Sequence, residues 1–82
     1  MPRYFFNVQD ESASTDHEGV ELADSDEARI AATMMAGQIL QESPASIWRS
    51  SDWSMQVCDE TGLVLFSLVF VGIDAPAAAR RH

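Results

Sequence analysis

The sequence predicts an α+β fold, with one helix packed on an antiparallel sheet of three to four strands in the order β-(β)-α-β-β. Three observations carry that reading. Residues 3–9 and 53–59 alternate apolar and polar side chains, the period of a strand. Residues 24–42 place small and apolar side chains at helical spacing. Residues 63–71, "LVLFSLVFV", are uncharged and apolar on both faces, which fits a strand covered on two sides.

The elements follow in chain order. In "RYFFNVQ", Tyr4, Phe6 and Val8 point one way, and Phe5, Asn7 and Gln9 the other. "DESASTDHEG" is polar and turn-rich. "VEL" at 20–22 is long enough for a short edge strand folding back on the first, with an ordered loop as the alternative. Asp24 then stands as an N-cap with Glu27 three residues on, a capping-box spacing. Asp26 and Glu27 put negative charge where the helix dipole favours it. Ser43-Pro44 ends the helix near Glu42.

On this helix Ala28, Ala31, Ala32, Met35, Ala36 and Ile39 share one face, and alanines let it lie close on a sheet. Ile30, Met34 and Gly37 form a second, smaller apolar patch on the opposite side. "ASIWRSSD" is a connector. In "WSMQVCD", Trp53, Met55 and Val57 oppose Ser54, Gln56 and Cys58. "DETG" supplies a hairpin turn, with Gly62 free to take positive φ. If the first strand runs up, the helix down, the third strand up and the last down, the last strand pairs with both others. The sequence therefore places it at the centre of the sheet.

Residues 1–74 read as a single domain and 75–82 as a flexible C-terminal tail. A chain of 82 residues buries a thin core, and small domains lean on disulfides, metals or association. Cys58 is the only cysteine, so no disulfide forms within the chain. Five basic against thirteen acidic residues give a net charge of −8. That balance disfavours nucleic acid and anionic lipid. No secretory leader is recognised, and no apolar run reaches the ~18–20 residues that span a bilayer. The expectation is a cytoplasmic protein with a reduced thiol.

Little of the sequence points to chemistry. Cys58 has no histidine at a recognisable spacing, and a reactive cysteine needs a base or a lowered pKa. His17, between Asp16 and Glu18, has no second histidine at ligand spacing, and His82 is terminal. The acids Asp10, Glu11, Asp16, Glu18, Glu21, Asp24, Asp26 and Glu27 do not follow the register of a calcium loop. Asp59 and Glu60 belong to the hairpin turn. Phosphate loops, nucleophile elbows and basic–aromatic patches are absent from the sequence. The expectation is a non-enzymatic chain with no catalytic, cofactor or metal residues.

The distinctive feature is apolar surplus. On residues 63–71, Val64, Phe66, Leu68 and Phe70 point one way, and Leu63, Leu65, Val69 and Val71 the other. One helix covers one face. Either the 45–52 connector, with Ile47 and Trp48, folds over the second face, or a partner does. A second copy is favoured, because twofold dimers are the commonest assemblies. The interface is placed on Phe5, Ile30, Met34, Phe66, Leu68 and Phe70. Two alternatives stand beside this self-associating module: an acidic decoy or antitoxin-like binder of a basic protein, and a small-ligand carrier.

"MPRYFFNVQD", "DHEGVELADSDEAR" and "VCDETGLVLFSLVF" together resemble a family of short bacterial proteins of unknown function. Its members open on a P-R-Y-F-F-type strand, continue through an acidic D-x-E-G-x-E-L segment into an Ala-rich helix, and close with a D-x-x-G hairpin. The resemblance covers most of residues 2–71 and implies a compact α+β domain with no established activity. Position 7 is Asn, where histidine is common in that family. An activity resting on that histidine would be missing here.

Overall fold

The computed structural model describes residues 1–10, 13–49 and 52–76. Glu11, His82 and most of the expected 75–82 tail lie outside the described residues. The elements are β1 (Arg3–Gln9), β2 (Ala13–Ser14), β3 (Val20–Glu21), α1 (Ser25–Glu42), α2 (Ser46–Arg49), β4 (Asp52–Cys58) and β5 (Val64–Val71). All the strand pairings are antiparallel, so the α+β reading holds.

α1 starts and stops as its sequence requires. Asp24 is the N-cap and its side chain accepts the Glu27 N–H at 3.0 Å. At the other end the Ser43 N–H bonds the Ile39 carbonyl at 3.0 Å, and Pro44 follows. Ala28, Ala32 and Ala36 are fully buried against the sheet. Ala31, Met35, Ile39 and Leu40 pack around them.

The strand order is β2-β1-β4-β5, with β3 also paired to β1. This corrects the expected centre of the sheet. The last strand is at the edge and β4 lies inside, between β1 and β5. The reason is one extra reversal. Val20–Glu21 folds back on Arg3–Tyr4 before the helix begins. The helix then carries the chain back again, so β4 enters antiparallel to β1 and takes the place beside it. An up–down–up–down count of directions lacks that reversal.

The core follows from this order. Trp53, Met55 and Val57 on β4 are the largest fully buried side chains. Burial of each is worth ~1.5–3 kcal/mol. Tyr4 and Phe6 stand beside them from β1. Val57 pairs with Phe66, Met55 with Leu68 and Trp53 with Phe70, so these three β5 residues face α1. The rings of Trp53 and Phe70 meet at 5.5 Å and 53°. Ile47 of α2 packs against the same core. The connector therefore joins the helix side of the sheet.

Candidate functional site

Two clusters lie outside the core. The first is polar and sits on the outer edge of β1. β2 pairs with β1 at Val8 and Gln9, and β3 pairs with it at Arg3 and Tyr4. Between them the Phe6 N–H has no strand opposite it. The Asp16 carboxylate fills that gap: one oxygen accepts the Phe6 N–H at 3.2 Å. The other accepts the N–H groups of Glu18 at 3.0 Å and Gly19 at 3.1 Å. Partial burial opposes ionisation of Asp16. The N–H groups of Gly19, Phe6 and Glu18, with nearby His17, outweigh that and hold its carboxyl below the ordinary aspartate value.

Gly19 completes the clamp. Its φ is +73°, and a Cβ there would stand 2.8 Å from Arg3 Cγ and 2.9 Å from Phe5 Cε2. Asn7 Oδ1 accepts the Asp16 N–H at 2.9 Å, and its amide reaches Cys58 Sγ at 3.6 Å. Cys58 is a buried free thiol. Cys58, Asn7 and Asp16 thus form one chain of contacts, but Asn7 has no proton-accepting ring and Asp16 is spent on backbone amides. The arrangement is a fastening. His17 is exposed, and no group of three or more metal-ligating side chains gathers among the described residues.

The second cluster is apolar. Opposite the helix, the sheet shows Asn7, Gln9, Ser54 and Gln56 across β1 and β4. On β5 the same face carries Ser67, Val69 and Val71, opposite Gln56, Ser54 and Asp52, and Val64, opposite Cys58, with Leu65 at the register shift between Val64 and Phe66. Val69 and Val71 are 59% and 53% exposed, and Leu65 is 37% exposed. Of the eleven large hydrophobic residues exposed among the described residues, six lie between 63 and 73: Leu63, Val64, Leu65, Val69, Val71 and Ile73. Among the described residues β5 pairs with β4 alone, so the apolar strip runs along an open edge. No helix among the described residues is long and apolar enough to cross a membrane.

The residues placed at an interface from sequence divide three ways. Ile30 and Met34 are exposed on the outer side of α1, 63% and 71%. Phe5 is half-buried beneath Gly19. Phe66, Leu68 and Phe70 face α1 and are half-buried against the core; Phe66 also lies 4.9 Å from the Arg29 guanidinium. The exposed large hydrophobic residues of β5 are Leu65, Val69 and Val71, their alternates, and Val64, which the register shift sets opposite Cys58. The alternation of the sequence already marked the set Leu65, Val69 and Val71, and the register of β5 against the buried Trp53, Met55 and Val57 chooses it.

Residues 3–71 match a protein family described as a domain of unknown function, DUF6894. The chain belongs to the DUF6894 family. The match takes in every strand and both helices, from the start of β1 to the end of β5. No curated protein and no solved structure matches the chain. Within this DUF6894 domain the D-x-E-G segment serves the Asp16–Gly19 clamp. The D-x-x-G turn is built likewise: Asp59 Oδ1 accepts from the Thr61 N–H at 2.8 Å and the Leu63 N–H at 3.1 Å, and Gly62 takes φ +88°.

Proposed function

We propose that this DUF6894 domain is a non-enzymatic interaction module that associates with itself through apolar sheet or helix surface. The observation that carries the reading is the exposure of Leu65, Val69 and Val71 along a sheet edge. Soluble monomers rarely leave contiguous apolar patches of more than a few hundred Å² uncovered. An uncharged edge strand also offers unpaired backbone groups to another chain. Light scattering on the purified chain across a micromolar range tests this. A mass rising with concentration toward twice 9.0 kDa supports it. A constant single-chain mass removes it.

The acidic surface supports a second reading, capture of a basic protein partner. Its complexes would weaken as salt rises, because screening shortens the reach of surface charge.

A further inference from the structure

We infer that the partner is a second copy of this chain, joined β5 to β5 across a twofold axis through Ser67, so that the two sheets become one. The inference rests on the self-association reading and says where and in what register it happens.

The two edges of the sheet are treated differently. β1 is closed on its outer side by β2, by β3 and by the Asp16 carboxylate between them. Among the described residues nothing covers the outer side of β5, and a bulge near its start is the edge-blunting feature it carries. Val64–Val71 holds no charge, no proline and no inward-pointing polar group. Its irregularity is a register shift against β4 at Val57/Cys58, at one end only. From Phe66 to Val71 the pairing with β4 is regular, and that length is offered to another chain.

What fits such an edge is set by its polarity. Residues 63–71 are symmetric about Ser67: four apolar residues, the serine, four apolar residues. In an antiparallel pair centred there, Leu65 lies opposite Val69 of the second copy and Phe66 opposite its Leu68. Ser67 meets Ser67, and past the register shift at Leu65 the residues Val64 and Leu63 come alongside Phe70 and Val71 as apolar neighbours rather than in strict register. Every pair is like with like. Sliding by one residue sets Ser67 against Leu68 and turns the two helices to opposite sides of the sheet. The centred register keeps both helices on one side. It also joins the exposed Leu65–Val69–Val71 strips into one apolar band.

Charge points to the same place. Two chains of net charge −8 repel. Among the described residues β5 is the one strand of more than two residues with no ionisable side chain, since β1 has Arg3 and β4 has Asp52. A twofold contact along it brings neutral surface to neutral surface. Eight residues extend ~27 Å, a shorter contact than the ~800 Å² per partner of a standard interface. Leu63 and Ile73, 62% and 81% exposed at its ends, lengthen it. The dimer is accordingly expected to dissociate on dilution.

The test is disulfide trapping of Ser67→Cys in the full chain, beside the wild type and beside Val69→Lys. Twofold-related residue 67 positions would lie with Cα atoms ~4.5–5.5 Å apart, within disulfide reach. The expected result is rapid oxidation to a reducible dimer for Ser67→Cys. The wild type, whose one thiol Cys58 is buried, should form none on that timescale. Val69→Lys should keep the wild-type circular dichroism and fall to a monomer. If the wild type dimerises but Ser67→Cys does not cross-link and Val69→Lys stays dimeric, the edge pairing is wrong while self-association stands. If the wild type is monomeric at every concentration, both fail.

Discussion

The Asp16 carboxylate lies 3.2 Å from the backbone nitrogen of Phe6, in the gap between the two-residue strands β2 and β3. One side chain thus stands in for missing strand. The outer edge of β1 is sealed by this bond, while the outer edge of β5 has no counterpart among the described residues.

Asp16→Asn should destabilise the fold by about 1–2 kcal/mol, because a buried-edge N–H loses a charged acceptor. The pH dependence has a definite sign. The folded pKa lies below the ordinary 3.8, so the contribution is complete above that value. It is lost as the pH falls through the depressed folded value. Urea titrations at pH 7 and pH 3 check this. The difference in stability between wild type and Asp16→Asn should shrink at the lower pH.

Gly19 and Gly72 offer a paired comparison. A Cβ at Gly19 meets Arg3 and Phe5 from a backbone with φ +73°, so Gly19→Ala should cost at least ~1 kcal/mol. A Cβ at Gly72 would stand 2.5 Å from the Trp48 ring, but Trp48 is 60% exposed, so rotating its side chain into solvent gives up little packing. Gly72→Ala should cost less. Thermal unfolding of the two variants ranks them, and the reverse order would contradict the clamp.

The two faces of α1 should respond oppositely to added bulk. Ala32 has no exposed surface, and Ala32→Leu should cost about 1–3 kcal/mol through overpacking. Met34 is exposed, and Met34→Lys should leave stability within about 0.5 kcal/mol. If Met34→Lys instead dissociates the dimer, the helix and not β5 carries the interface.

Much of this was legible in the sequence. The Asp24 cap, the alanine face and the alternation of β1 and β4 follow from local periodicity, which needs no knowledge of neighbours. The order of the strands does not. It depended on two residues, Val20 and Glu21, whose pairing with Arg3 and Tyr4 reverses the chain once more. The role of Asp16 was hidden for a related reason. One of its oxygens is spent on Phe6, ten residues away, and no local pattern marks that pairing. The apolar surplus of residues 63–71 was visible at once, but assigning Phe66 or Val69 to the open face required the register of β5 against the buried side chains of β4.

Salt separates the two readings of the acidic surface. In the Ser67-centred pair, the Asp59–Glu60 turn of one copy approaches the end of the other's β5, where Asp74 follows. Those like charges oppose association, and screening relieves them. Raising sodium chloride from about 0.05 to 0.5 M, which shortens the Debye length severalfold, should tighten the dimer. Capture of a basic partner should weaken over the same range.

Sedimentation equilibrium of the wild-type chain over a dilution series weighs the central claim most directly. The account predicts a reversible monomer–dimer equilibrium between 9.0 kDa and twice that mass, abolished by Val69→Lys. A lone 9.0 kDa species at the highest micromolar loading would contradict it.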